Sequence, residues 1–167
     1  MKIERFEDIE AWQPVESPSA VSLSAVSSRS NCSEPNGLQV ERLARKLACK
    51  VYDLTKKTKF ARDFGLKRQI QDAAGSSMHN IAEGFDSETN PEFVRFLRYA
   101  KRSCTEVQSE LYVALDQQYI TNTEFQDVYD HAGRTRATIR GFIKYLQTYN
   151  QQRKDNPNRL SSSQAER

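Results

Sequence analysis

Apolar residues recur at every third or fourth position through most of residues 38–149, which is the period of a helix that buries one face. Short polar segments divide this region into four stretches, and we expect one helix in each, at about 38–57, 65–83, 90–118 and 122–149. No segment alternates apolar and polar residues for long enough to predict a β-strand. The pattern therefore predicts an all-α protein, folded as an antiparallel up-and-down four-helix bundle with short connections.

One apolar stripe along each predicted helix supplies the expected core. The members of these stripes are Leu43, Leu47, Val51 and Leu54 in the first helix, Leu66, Ile70, Ala73, Ala74, Ser77 and Ile81 in the second, Phe93, Leu97, Ala100, Cys104, Val107, Leu111 and Ala114 in the third, and Phe125, Val128, Ala132, Ile139, Ile143 and Leu146 in the fourth.

The stretch "NIAEGFDSETNPE" joins the second and third predicted helices, and it contains the residue types that commonly end and begin helices. We expect Gly84 to close the second helix in the left-handed conformation that glycine adopts without strain. Either Thr89, with Glu92 at capping-box spacing, or Asn90 then caps the next helix, and Pro91 lies in the first turn. The stretch is therefore interpreted as a corner between helices rather than as a catalytic site.

Composition divides the chain into four parts. Residues 14–37 are rich in Ser, Pro and Gly and show no helical period, which predicts a disordered or looped-out insert before the first long helix. Residues 1–13 are expected to dock on the bundle, which spans 38–150. The polar residues 151–167 are expected to form a flexible tail.

Nothing in the sequence directs the chain to a membrane or out of the cell. It has no run of about 18 apolar residues, and its first residues, "MKIERFEDIEAW", lack the basic-then-apolar order of a secretion signal. The cysteines Cys32, Cys49 and Cys104 form neither a disulfide framework nor a CxxC zinc pattern. We expect a cytoplasmic protein in which Cys49 and Cys104 are buried, reduced thiols.

The sequence offers little for catalysis. Its two histidines, His79 and His131, belong to neither HExxH nor the Glu-x-x-His pairs of di-iron bundles. No glycine-rich phosphate loop of the GxxxxGK[ST] or GxGxxG type occurs. We therefore predict that the protein is not an enzyme and has no catalytic residues, cofactor or metal site.

Basic residues form two stripes at i, i+4, i+8 spacing, which places the members of each stripe on one helix face. The stripes are Arg42, Lys46 and Lys50 on the first helix and Arg136, Arg140 and Lys144 on the fourth. Such stripes can follow a phosphate backbone, but solvated helix faces are often charged as well. Sequence alone leaves these two interpretations equal, and the six residues are the candidate nucleic-acid-binding site.

Two tyrosines, Tyr99 and Tyr112, lie toward the edge of the apolar stripe of the third helix. Tyrosine at such an edge can fill a subunit interface or stack on a nucleic-acid base. We favour the interface because interfaces are enriched in tyrosine.

Several motifs resemble one bacterial family. "FEDIEAWQ", "VYDLT", "FGLKRQIQDAA", "NIAEGF" and "EFVRFLRYAKRS" occur in the order typical of the four-helix-bundle proteins encoded in intervening sequences of 23S ribosomal RNA genes. The resemblance covers residues 3–13 and about 43–146, and the insert at 14–37 departs from the family pattern. The resemblance implies a homopentameric ring and offers no catalytic residues. The chain is also similar to the accessory proteins of diversity-generating retroelements, which bind nucleic acid and a reverse transcriptase.

These observations together predict a non-enzymatic oligomer that binds RNA or DNA without sequence selectivity through its basic helix faces. A structural or protein-partner scaffold, such as an accessory subunit for a reverse transcriptase, is the alternative. A vestigial product of the intervening sequence is a further one.

Overall fold

The computed structural model describes residues 37–155 of the chain, with side chains as far as residue 152. Its helices are α1 (Gly37–Thr55), α2 (Thr58–Arg62), α3 (Phe64–Asp86), α4 (Asn90–Asp116) and α5 (Asn122–Asp155). This part of the chain contains no strand, which confirms the predicted all-α bundle. The expected docking segment at 1–13, almost all of the insert and most of the tail lie outside the described residues.

The four long helices form a bundle in which α1 contacts α3 and α5, and α4 contacts the same two helices. Neighbouring helices are antiparallel. Asn90 at the start of α4 donates to Asn150 near the end of α5, at 2.8 Å. Lys57, just after α1, bonds Glu124 at the start of α5 at 2.6 Å. The order around the bundle is therefore that of an up-and-down topology.

The core confirms most of the predicted stripes. Leu47, Ile70, Leu97, Leu111 and Ile139 are all fully buried, and they come from the four long helices. The first stripe is displaced slightly, because α1 buries Val40 and Ala44 fully while Leu43 is only half-buried. Stripes of this width remove a large apolar area from water, which is the main term stabilising a bundle.

The short helix α2 was not predicted, and it closes one end of the bundle. Its Phe60 is fully buried, and the ring lies 5.5 Å from the ring of Tyr119 in the α4–α5 loop. The Tyr119 hydroxyl donates to Asp63 at 3.2 Å, and the other oxygen of Asp63 accepts from the Leu66 amide at 3.0 Å, capping α3. The buried Phe60 side chain and the Asp63 cap thus hold the ends of α1, α3 and α4 together.

Gly84 does not end α3, and that prediction is wrong. The helix continues to Asp86, and no glycine among the residues described has a positive φ. A β-carbon at Gly84 would instead stand 2.5 Å from the Phe93 ring on α4. Glycine is needed here because the two helices approach too closely for any side chain, not because of the backbone conformation.

Thr89 caps α4, as the first of the two proposed arrangements predicts. Its hydroxyl accepts from the Glu92 amide at 3.4 Å, and Pro91 lies in the first turn. The Thr89 hydroxyl also donates to the Glu92 carboxylate at 3.3 Å, a bond between the two side chains rather than the return bond to the backbone that defines a capping box.

The α4–α5 loop contains an unusual backbone conformation. Gln118 has a φ of 56°, in the left-handed region that favours glycine. The Tyr119 amide bonds the Ala114 carbonyl at 2.9 Å, and the Gln118 amide bonds the Leu115 carbonyl at 2.9 Å. These two bonds make the Schellman arrangement that ends α4 and turns the chain toward α5.

Helix α5 has 34 residues and extends to Asp155, beyond the end expected from the apolar pattern. No helix within residues 37–155 combines the length and the apolar character needed to cross a membrane.

Candidate nucleic-acid interface

The stripe on α1 is partly neutralised. Arg42 and Lys46 are exposed, but Lys50 is half-buried and forms an ion pair with Asp127 of α5. The Lys50 bond lowers the pKa of the Asp127 carboxyl, so the carboxylate is favoured. A cation held by a carboxylate has less charge to offer a phosphate, and Lys50 therefore contributes less than its spacing suggests.

The basic residues that follow this stripe are neutralised in the same way. Lys56 pairs with Asp53 at 2.8 Å, and Lys57 pairs with Glu124. The Lys57 bond, helped by the Thr121 amide, lowers the pKa of Glu124 to about 2. Lys56 and Lys57, like Lys50, are therefore compensated by carboxylates.

The stripe on α5 faces a different neighbour, α4. Arg136 donates to the Thr105 hydroxyl at 3.4 Å and to the Gln108 amide oxygen at 3.3 Å. Gln108 is buried, and its amide nitrogen donates to the Tyr129 carbonyl at 3.2 Å. Since both ends of the Gln108 amide are occupied, its oxygen is fixed toward Arg136 and holds that guanidinium at the seam between the helices.

A groove runs along this seam, and we call it the α4/α5 groove. One cavity of about 230 Å³ is lined by Lys101, Thr105, Gly133, Arg136, Ala137 and Arg140. A second cavity, of about 280 Å³, continues toward the start of α4 and is lined by Pro91, Val94, Arg98, Gln147, Asn150 and Gln151. Neither cavity has a carboxylate in its lining.

Lys50, Lys56 and Lys57 are paired with carboxylates, whereas the cations that line this groove are not. Arg98, Lys101 and Arg140, and also Lys144 one turn after Arg140, form no ion pair with any carboxylate of residues 37–152. Arg136 bonds only the uncharged groups of Thr105 and Gln108, so its full charge also remains. The α4/α5 groove therefore gathers cations that no described carboxylate neutralises by an ion pair, and such a cluster attracts anions.

The two predicted stripes are not brought together. Arg42, Lys46 and Lys50 lie on the α1 side of α5, whereas Arg136 and Arg140 lie on its α4 side.

Sequence analysis missed Arg98 and Lys101, which complete the groove from α4. A signal for them exists: in two antiparallel helices joined by a short loop, residues equally distant from the loop face each other. Applied about the Ile120–Thr121 bond, this rule pairs Lys101 with Arg140.

Aromatic side chains lie at the loop end of the same seam. The Tyr112 ring packs on Phe125 at 4.9 Å and on Tyr129 at 5.6 Å, yet half of Tyr112 remains exposed. A further cavity of about 560 Å³, lined by Gln108, Asp127, Tyr129, Asp130, Gly133, Arg134 and Ala137, adjoins the basic cavity through Gly133 and Ala137. Tyr99, the other tyrosine noted in the sequence, packs instead with Phe96 and Arg102.

His131 is a buried group between α5 and α1. Its Nε2 donates to the Leu43 carbonyl at 2.9 Å, so the neutral ring carries its proton there. Burial lowers the pKa of His131, and the nearby charges of Arg134, Lys50 and Lys46 lower it further. The histidine thus joins α5 to the backbone of α1.

We expect the stability of the protein to fall between about pH 7.5 and pH 5.5 because of His131. An unfolded chain protonates histidine near pH 6.5, above the folded value, so the unfolded state binds more protons as the pH falls. His131→Gln should reduce the fall in Tm across this range, whereas the exposed His79→Gln should preserve it. Glu41, whose pKa is raised by burial, opposes the effect at lower pH, so the comparison stays above pH 5. Equal slopes for all three proteins would contradict this role of His131.

The expectation that Cys49 and Cys104 are both buried is correct for Cys104 alone. Cys104 is fully buried, and burial raises its pKa to about 12, but Cys49 is exposed. Residues 37–155 contain no group of three or more His, Cys, Asp or Glu side chains arranged to hold a metal ion.

Comparison with known proteins gives a family and a shared fold. Residues 36–141 match the model of the family described as 23S rRNA-intervening sequence protein. The chain is also similar to a solved structure of a protein of unknown function from the S23 ribosomal protein family of Bacteroides thetaiotaomicron VPI-5482. That similarity has a TM-score of 0.61 and 17% identity, and it covers 65% of this chain and 97% of the other. No curated protein matches the chain.

Proposed function

The chain belongs to the family of 23S rRNA-intervening sequence proteins, and from the chemistry of its α4/α5 groove we propose that it binds nucleic acid without sequence selectivity. The ligand is RNA or DNA, and the contacts are to the phosphate backbone. The protein acts by binding rather than by catalysis.

The observation that carries this proposal is the set of uncompensated cations in the groove. A protein whose charges served solubility alone would intersperse both signs, as in the pairs Lys50–Asp127 and Lys56–Asp53 elsewhere in this chain. The α4/α5 groove instead gathers Lys101, Arg136 and Arg140 around one cavity. Each such cation that contacts a phosphate releases a counterion and adds salt-dependent affinity.

The geometry of the cations supports binding that ignores sequence. Residues four apart on a helix are separated by about 6 Å along its axis, so Arg136, Arg140 and Lys144 form a regular row. A row of point charges follows a backbone, whereas sequence is read by polar groups that enter a groove of the nucleic acid. This bundle offers no protruding helix for that purpose.

We also propose that the protein assembles with copies of itself, and a homopentamer is the state that the family resemblance implies. Exposed aromatic rings on several helices support self-association, among them Tyr52, Tyr99 and Tyr145. A symmetric assembly would repeat the groove around one axis and multiply its contacts with a long polyanion.

Charge reversal in the groove should remove the binding. We expect Lys101→Glu combined with Arg140→Glu to weaken affinity for a mixed-sequence oligonucleotide about tenfold or more at low salt. The slope of log affinity against log salt should fall by about 2, one unit for each lost phosphate contact. Fluorescence anisotropy with labelled RNA and DNA, at about 50 to 200 mM salt, measures both quantities.

A matched control comes from Lys56→Glu combined with Arg68→Glu, which makes the same change in net charge away from the groove, in the turn after α1 and on α3. Both residues are exposed and form surface ion pairs, so the fold should tolerate their reversal. If this control weakens binding as much as the groove variant, the interaction follows net charge and the groove is not the site.

Light scattering coupled to gel filtration, with and without oligonucleotide, separates this function from a scaffold. An assembly that takes up the oligonucleotide and releases it as salt rises supports the proposal. An assembly indifferent to nucleic acid at low salt contradicts it and favours a protein partner, such as a reverse transcriptase.

A further inference from the structure

We propose that the α4/α5 groove selects single-stranded nucleic acid over duplex, with a base stacked on Tyr112 and the adjoining phosphates on Lys101, Arg136 and Arg140. This inference rests on the proposed function and adds the class of ligand that the groove takes.

The two adjoining cavities of the seam differ in charge. The cavity near the middle of α4 is lined by three cations and no carboxylate. The cavity nearer the loop is lined by two carboxylates, Asp127 and Asp130, together with Tyr129 and a single cation, Arg134, and Asp127 is also paired with Lys50. Carboxylates repel a phosphate, but they accept hydrogen bonds from the exocyclic amino groups of bases.

A ligand that fills both cavities should therefore place its phosphates in one cavity and its bases in the other. Phosphates fit at Arg136 and Arg140, and bases fit toward Tyr129 and Tyr112. A single strand can present both, because its bases are unpaired and turn away from the backbone. A duplex has its bases stacked inside and its phosphates outermost, so it would bring phosphates to Asp130 as well.

The Tyr112 ring is held in place by its neighbours and is exposed on one side, which suits it to stack on a base. The ring is braced by Phe125 and Tyr129, which stack on each other at 5.1 Å, so little side-chain freedom remains to be lost on binding. Half of the side chain is nevertheless exposed. An aromatic ring that is fixed and open is the form of side chain on which proteins stack single-stranded bases.

The spacing brings both halves within reach of one strand. Tyr112 follows Thr105 by seven residues on α4, or about 10 Å along the helix axis, and Thr105 is the residue that Arg136 contacts. Gly133 and Ala137 lie between the two cavities. Their small side chains leave the connection between the cavities open.

The test compares a single strand of roughly a dozen nucleotides with the duplex of the same sequence, on the full chain. We expect the wild type to bind the single strand more tightly than the duplex at moderate salt. Tyr112→Ala should weaken single-strand binding about tenfold, within the range measured for base–aromatic stacking, and leave duplex binding nearly unchanged. Tyr112→Phe should retain single-strand binding because it keeps the ring.

The controls distinguish the preference for single strands from the proposed binding of nucleic acid by the groove. Phe64→Ala removes an exposed aromatic ring at the start of α3, outside the cavity linings, and should leave both affinities unchanged. Equal wild-type affinity for strand and duplex, or an unaffected Tyr112→Ala variant, would overturn the inference while the groove's role in binding stands. If Lys101→Glu with Arg140→Glu also leaves binding intact, the proposed function fails with it.

Thermal melting and light scattering of Tyr112→Ala show whether a loss of binding comes from a loss of folding or assembly. A variant that melts and assembles as the wild type does, yet loses the single-strand preference, supports stacking. One that loses its assembly together with its binding of both ligands places Tyr112 in a subunit interface and overturns the inference.

Discussion

Phe60→Ala should lower the free energy of unfolding by about 4 kcal/mol, the loss typical of a phenylalanine removed from a closed core. The side chain is fully buried and has the Tyr119 ring as a neighbour. Its site lies where α1, α3 and the α4–α5 loop meet, and the Asp63–Tyr119 hydrogen bond restrains that junction from collapsing around the cavity. Because small domains are stable by only about 5–15 kcal/mol, the variant should be close to unfolding at physiological temperature.

Urea unfolding followed by far-UV circular dichroism at one protein concentration measures this loss. Phe64→Ala is the matched control, since it is the same substitution four residues later at a side chain that is 77% exposed. It should change the free energy of unfolding by no more than about 0.5 kcal/mol. If the two variants unfold alike, α2 does not close the bundle in the way described.

Gly84→Ala should destabilise the protein by about 2 kcal/mol, although alanine is the better helix former. The added β-carbon would lie 2.5 and 2.8 Å from two atoms of the Phe93 ring. That ring cannot move away freely because it packs on Phe85 at 4.9 Å and on Phe142 at 5.4 Å. We therefore expect α3 and α4 to move apart locally, with loss of packing in this aromatic cluster.

Gly75→Ala provides the opposite result on the same helix. A β-carbon there would meet its nearest neighbour, the His79 ring, at 3.7 Å, an ordinary contact. Helix propensity should then dominate and stabilise the protein by about 0.5–1 kcal/mol. The two variants should thus differ by about 3 kcal/mol in chemical unfolding. Stabilisation by both would mean that α3 and α4 have room to adjust at Gly84.

The long helices could be predicted because each one buries a single stripe, and Thr89 also marks the start of α4 as a capping residue. Leu97, Leu111 and Ile139 are examples whose spacing alone located the core. The short helix α2 has only 5 residues, too few to show a period, so the burial of Phe60 depends on tertiary contacts that no local pattern records. Gly84 illustrates the same limit, because a cap and a close helix contact both require glycine.

The candidate site could be predicted only in part for a related reason. Spacing along one helix identified Arg136, Arg140 and Lys144, but it cannot show which neighbour they face. Lys50 has the same spacing and is held by Asp127 across the bundle. The groove exists only between helices, so Lys101 entered it through packing rather than through a motif.

The gathering of like charges along the α4/α5 seam has a consequence for the protein when no ligand is bound. Cations without carboxylates repel one another, and a chain selected for stability alone would have replaced some of them. If the groove binds a nucleic-acid strand as proposed, the strand would relieve that repulsion and stabilise the folded state by mass action. The proposed ligand would then supply the negative charge that the seam itself lacks.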